Sequence, residues 1–199
     1  MIQQSLYYKI QLEEKISILP EQINGNLEQN MLHNLKEKLE GFSTNKGIIM
    51  KVLKILSYDY GFIDQDNLTA SVLYNVKYEA YICSPTNGLE VICMVQKIIN
   101  GYIFALNGPL MIVISTLNLD SEQFTNYNGE ITINSTKKKI KVDDLIKVHI
   151  NSININLGEK TIMAMCKLIN LASEKEINKY NSDMDFIHNR DINDDEELI

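Results

Sequence analysis

The spacing of apolar residues changes twice along the chain. Early on, Tyr7, Lys9 and Gln11 interleave with Tyr8, Ile10 and Leu12, and Ile16 and Ile18 resume the apolar side. A period of two predicts a half-buried strand, which Pro20 ends. The period then lengthens. Leu27, Met31, Leu35 and Leu39, with Leu32 beside them, form the apolar stripe of an amphipathic helix of about 14 residues. Glu28, Lys36, Glu37 and Lys38 face water, and Asn24 or Asn26 caps its start. Gly41 and Gly47 bracket a turn, and residues 48–56 read as a second strand. Tyr58-Asp59-Tyr60-Gly61 reads as a turn or loop, and residues 68–82 as a strand pair or one long bent strand. One helix on a small antiparallel sheet is an α+β unit.

Ser84-Pro85-Thr86-Asn87-Gly88 cannot continue a strand, and beyond it the rhythm is different. Residues 91–99, 102–106, 110–115, 139–142, 146–155 and 161–168 are all short β patterns. Turn signals separate them at Asn100-Gly101, at Asn107-Gly108-Pro109, at residues 126–129 and at 156–158. Five or six strands in so short a span indicate a small barrel, and a five-stranded OB-type barrel fits best. The domains expected are therefore residues 1–82, residues 83–172 and a tail at 173–199.

Charge sharpens this division. The net charge of −7 is spread as −2 over residues 1–82, +1 over 83–172 and −6 over 173–199. The acidity belongs mostly to the tail, and a near-neutral body is compatible with RNA binding. In the tail, Asp191, Asp194, Asp195, Glu196 and Glu197 repel one another, which predicts disorder, or only partial helix, in isolation. Ile177, Tyr180, Met184 and Ile187 fall at helical spacing, so a short docking helix is the alternative. A hydrophobic fraction of 45% is enough for a core. No apolar run approaches the roughly 18 residues of a membrane span, and the start lacks the pattern of a signal peptide, so an intracellular protein with no membrane partner is expected. Abundant Ile and Asn, and Lys at 18 to 1 over Arg, point to an AT-rich genome.

Catalytic signatures are missing. No P-loop or G-x-S-x-G occurs. Cys83, Cys93 and Cys166 form no C-x-x-C pair, and His33, His149 and His188 are scattered, so neither a metal nor a cofactor is expected. Asp143-Asp144 reads as the entry turn of the strand that follows. The positive signal is for single-stranded RNA, which OB barrels bind by stacking bases on aromatics and running phosphates past Lys. Tyr102 and Phe104 alternate on one strand and share a face, and Lys97 lies just before them. Lys137, Lys138, Lys139 and Lys141 form the one basic cluster. Phe104 also reads as barrel core, and the Lys run as a solvated turn.

Certain residues carry a family resemblance: Tyr8, Ile10, Leu12 and Glu13, then Leu39-Glu40-Gly41, then the Leu73-Tyr74-x-Val76-Lys77-Tyr78-x-Ala80 segment. Pro85, Gly88 and Val91 follow, then Phe104, Gly108-Pro109 and Ile114-Ser115. Across about residues 6–172 the chain resembles the stalk subunit of multisubunit DNA-dependent RNA polymerases, the seventh-largest subunit of eukaryotic RNA polymerase II and its archaeal counterpart. The resemblance implies a truncated-RNP-like domain, an antiparallel sheet with one helix, followed by an OB-fold barrel. It implies a non-catalytic subunit that pairs with a smaller stalk partner, docks on the polymerase core near the clamp and contacts nascent RNA. The loop at residues 58–67 would belong to the docking tip, with Tyr58, Tyr60, Phe62 and Ile63 as docking residues. That loop is short and lacks a Gly-rich run, Gly101 sits one place early, and the tail is extra. A divergent, AT-rich member with an acidic tail points to a viral or parasite polymerase, a large DNA virus first, with action in a virion or cytoplasmic viral factory for such a virus, or in the nucleus for a cellular eukaryote. A free-standing OB-fold protein of translation or RNA processing is the alternative.

Overall fold

The computed structural model describes residues 5–63, 69–99, 101–127 and 130–188. The chain divides into two compact units: Tyr7–Ser84 with Leu157–Lys160, and Pro85–Asn156 with the described residues from Thr161 on. The class is α+β, with two helices among many strands. No described helix is long and apolar enough to cross a membrane.

The first unit contains β1 (Tyr7–Ile18), α1 (Leu27–Leu39), β2 (Ser43–Thr44), β3 (Gly47–Tyr58), β4 (Phe62–Ile63) and β5 (Val72–Cys83). Its sheet runs β1-β5-β3-β2, and β4 pairs with β5. The alternation of β1 is realised in space: Ile16 and Ile18 are buried, while Lys15 and Ser17 are exposed. They join Met31, Leu35 and Leu39 of α1 and Ile49, Val52, Val76, Tyr78, Ala80 and Ile82 in one core. Truncating a fully buried residue such as Leu35 to Ala costs about 2–5 kcal/mol.

The segment around Leu39-Glu40-Gly41 joins helix to sheet. Gly41 takes φ +81° and its N–H donates to the Ile49 carbonyl at 2.8 Å. β2 pairs only with Gly47 and Ile48 of β3. Further along β3, the Glu40 carboxylate accepts the Val52 N–H at 2.6 Å. At the other end of α1, Asn26 holds the cap position but makes no side-chain cap bond. Asn24 Oδ1 instead accepts the Asn26 N–H at 2.9 Å.

The second unit contains β6 (Glu90–Ile99), β7 (Tyr102–Asn107), β8 (Leu110–Ser115), β9 (Phe124–Tyr127), β10 (Glu130–Ile133), β11 (Leu145–Asn154), β12 (Ile162–Leu171) and α2 (Glu174–His188). Five strands close a barrel in the order β11-β12-β8-β7-β6. The closing pair, β12 with β8, is parallel. Alternate side chains fill the interior: Val91, Cys93 and Val95; Ile103 and Ala105; Ile146, Val148 and Ile150; Ile162, Ala164 and Cys166.

Three expectations need correction. Residues 139–142 form no strand. Lys139 makes only an isolated bridge to Thr132, because the chain there turns back along β10, with Ile140 N–H donating to the Ile131 carbonyl at 2.9 Å. β9 and β10 form a separate two-stranded ribbon where the sequence pattern indicates only a turn. Phe62 and Ile63, expected in a loop, pair with Leu73 and Val72 of β5.

Residues 174–188 take the helical alternative. Ser173 N–H and Oγ both donate to Glu176 Oε2, at 2.9 and 2.7 Å, one half of a capping box. Glu176 Oε1 lies 3.0 Å from Lys147 Nζ, which also pairs with Glu90 at 2.9 Å. The Ser173 backbone and side-chain donors, with Lys147, pull the Glu176 carboxyl down to about 2. The acidic run from Asp191 to Glu197 lies outside the described residues.

Candidate nucleic-acid and docking surfaces

A bulge in β6 decides which way Lys97 points. Val95 pairs with Ala105 and both face the barrel interior, but the register shifts at Gln96, so Lys97 pairs with Phe104. In a regular strand, residues two apart share a face, and Lys97 would follow Val95 inward. The extra residue turns it outward, as bulges commonly re-aim a side chain. On β7, Ile103 and Ala105 are fully buried while Tyr102 is 42% exposed and Phe104 is half-buried. Phe104 is therefore on the outer face, and its reading as barrel core is corrected. The Tyr102 and Phe104 rings lie 6.3 Å apart with a 44° tilt.

The face continues across neighbouring strands. Phe104 pairs with Val113, and Leu106 with Met111. Met111 and Val113 pair in turn with Met163 and Met165, which are 45% and 43% exposed. Sequence reasoning missed the two methionines, although their alternation with Ile162, Ala164 and Cys166 put them on the outer side of β12.

The Lys cluster is not one patch. Lys137, at φ +55°, occupies the turn after β10, and its N–H donates to the Ile133 carbonyl at 2.8 Å. The Lys138 carbonyl accepts the Ile133 N–H at 2.9 Å. Lys139 Nζ is bound to Glu130 at 2.5 Å, which cancels its charge locally. Lys141 lies further on, where the chain returns to β6. Asp143 N–H donates to the Val95 carbonyl at 2.8 Å, and Val95 N–H to the Asp144 carbonyl at 3.0 Å. Asp144 Oδ2 accepts the Lys141 N–H at 2.8 Å, so Asp143-Asp144 is the turn into β11. The structure thus groups Lys97, Tyr102 and Phe104, bonds the Asp143-Asp144 turn that follows Lys141 to Val95 on the same strand as Lys97, and leaves Lys137 and Lys138 on the β10 turn.

In the first unit, Tyr58, Tyr60, Phe62 and Ile63 gather at one end of the sheet, 43%, 102%, 51% and 59% exposed. Tyr58 meets Tyr74 edge-on, with ring centroids 6.2 Å apart. Asp59 N–H donates to the Asn75 carbonyl at 3.1 Å, which fixes the turn. A Cβ on Gly61 would collide with Val72 and the Tyr74 ring, so only glycine lets the chain pass this close. Neighbouring rings held apolar side out are unusual on a surface that meets only water.

Among the described residues no three His, Cys, Asp or Glu side chains are placed to hold a metal ion. The three cysteines are buried. Burial pushes the Cys83 and Cys166 thiols up to about 12 and Cys93 well above the usual range.

No protein-family model matches the chain. Individual relatives do. The candidate DNA-directed RNA polymerase subunit L376 of Acanthamoeba polyphaga mimivirus is 43% identical over 199 residues, the full length of both chains. DNA-directed RNA polymerase II subunit rpb7 of Dictyostelium discoideum is 25% identical over 158 residues, 77% of this chain and 91% of the relative. The corresponding subunit of Glycine max is 27% identical over 164 residues, 77% of this chain and 88% of the relative. At full-length coverage by a viral relative and near-complete coverage of two cellular ones, the chain belongs to the Rpb7-type family of non-catalytic RNA polymerase subunits.

Proposed function

We propose that this polymerase subunit works as a stalk: residues 1–82 dock on the core near the clamp, residues 83–172 are an OB-fold domain that contacts nascent single-stranded RNA, and a smaller subunit completes the heterodimer. The observation that carries the docking reading is the cluster of Tyr58, Tyr60, Phe62 and Ile63, with Tyr60 wholly exposed. The RNA reading rests on the outward Lys97–Phe104 pair beside Tyr102. An outer strand face with two rings and a cation suits bases and phosphates. The protein would act wherever its transcription machinery assembles, a viral factory or virion for a large DNA virus.

The test is affinity purification of the tagged full chain from its source, followed by RNA crosslinking. Core polymerase subunits and one small partner at fixed stoichiometry, with crosslinks in β6 and β7, are the expected result. Tyr60→Ser with Phe62→Ser should cut recovery of the core at least 10-fold without changing the thermal melt. Recovery of ribosomal or processing factors in place of polymerase would sink the stalk reading.

A further inference from the structure

The last described helix crosses the barrel wall toward the strand that carries the rings. β12 ends beside β11, where Ala172 N–H donates to the Leu145 carbonyl at 2.9 Å. Glu176 then meets Lys147 of β11 at 3.0 Å. One turn later, burial and, to a smaller extent, Cys93 of β6 raise the Tyr180 hydroxyl pKa, so this ring lies near β6. α2 packs against the same strand. The contacts therefore pass from β11 to β6, and the strand on the far side of β6 is β7. Glu90 and Lys147 alternate with the buried Val91, Ile146 and Val148, so this path follows the outer wall.

The helix stays on that wall to its last turn. Ile177, Tyr180, Met184 and Ile187 share one helical face and are all half-buried, while Asn178, Asn181, Ser182 and Asp185 are exposed. Residues 189–199, which lie outside the described chain, therefore start against the barrel. Eleven residues reach up to about 36 Å when extended. The steps they face are smaller: β7 is about 5 Å from β6, and Cys93 to Lys97 is about 13 Å along β6.

Within that reach lies a surface complementary to the tail. Lys97 is exposed, Tyr102 is 42% exposed and Phe104 is half-buried beside it. Among the described residues no carboxylate holds the Lys97 ammonium, whereas Glu130 holds Lys139, and Glu90 and Glu176 hold Lys147. Residues 189–199 carry five acids against the single Arg190, and the last acids run directly into Leu198-Ile199. An anionic run followed by an apolar pair matches a cation beside two rings.

We infer that residues 189–199 fold back over the outer face of Lys97, Tyr102 and Phe104 and compete there with single-stranded RNA. The carboxylates of residues 194–197 take the place of phosphates at Lys97, and Leu198-Ile199 takes the place of bases on the rings. Tethering raises the effective concentration of the tail at this face, so individually weak contacts suffice. RNA then binds by displacing the tail. The competition rests on the RNA reading of this face, whereas the fold-back stands on the path of α2 and the match of charge.

The experiment places a nitroxide on the full chain through Asn193→Cys and reads paramagnetic broadening of its amides. Cys83, Cys93 and Cys166 are buried, so the label goes to the new thiol. The comparison chain also carries Asp194→Asn, Asp195→Asn, Glu196→Gln and Glu197→Gln. At about 0.05 M salt the Lys97, Tyr102 and Phe104 amides should broaden in the acidic chain, and the effect should fade at about 0.5 M salt or on neutralising the tail. Neutralisation, without the label, should also tighten binding of a labelled oligouridylate at least 5-fold at the lower salt. Broadening that is spread evenly, or that survives neutralisation, overturns the inference. Tighter RNA binding without broadening means repulsion by a free tail and also overturns it, as does broadening with unchanged RNA affinity. Broadening passed to an unlabelled copy in a mixed sample would put the tail on a second chain and overturn it too. If neither chain binds RNA, the RNA reading of the face fails, and the broadening alone decides the fold-back.

Discussion

The end of the first sheet and the outer face of β7 both expose aromatic rings, yet they are built differently. At the sheet end, Tyr58, Tyr60, Phe62 and Ile63 crowd a chain reversal beside Asp59, and the nearby Lys77 of β5, opposite Ser57, is already held by Glu13 at 3.0 Å. On the barrel, Tyr102 and Phe104 lie along one strand with Lys97 directly across from Phe104. Exposed rings crowded at a protruding turn, with the neighbouring ammonium already paired, suit an apolar pocket on another protein. Rings on a strand face beside a cation suit bases and phosphates. The two surfaces should therefore fail independently when mutated.

The largest effect separates face from core within β7. Ile103→Ala should lose about 2–5 kcal/mol of stability, because the side chain is fully buried. Phe104→Ala should lose well under half of that, because its ring is on the outer face. Denaturant midpoints of the two variants measure the difference, and equal losses would return Phe104 to the core. Next, Tyr102→Ala should weaken single-stranded RNA binding by about 1–3 kcal/mol, while Tyr60→Ala leaves it unchanged. Fluorescence anisotropy with a labelled oligonucleotide tests both, and an equal loss from Tyr60→Ala would erase the distinction between the surfaces.

A smaller effect concerns the lysines. If Lys138 neutralises one phosphate, Lys138→Ala should reduce the log–log salt slope of RNA binding by about 0.7. Lys139→Ala should leave the slope nearly unchanged, because Glu130 already holds that ammonium. Affinities at several salt concentrations decide between them. The smallest effect is local. The Glu176 carboxyl sits at about 2, below its ordinary 4.5, because Ser173 and Lys147 stabilise its charged form. A depressed carboxylate contributes stability above its unfolded value and loses it as pH falls through its folded one. The start of α2 should therefore fray between about pH 4.5 and 2, visible in the Ser173 and Ile177 amide signals, and Glu176→Gln should remove most of that dependence.

What the sequence determined by itself was local. The period-two run of β1 and the four-residue spacing of Met31, Leu35 and Leu39 assign strand and helix, because each residue's face follows from its position in the repeat. That Tyr102 and Phe104 share a face was legible for the same reason, but not which way that face points. The tertiary structure decided what depends on partners distant in the chain. The bulge at Gln96 turns Lys97 outward only because β7 supplies Phe104 as its partner. Lys139 is neutralised because the chain folds back on Glu130. β12 closes the barrel by pairing with β8, some fifty residues earlier. The helix after Ser173 is tied down by Lys147 from β11. A residue's face is a local property of backbone geometry, whereas register, closure and charge pairing are set by which segments meet, and no local pattern encodes that.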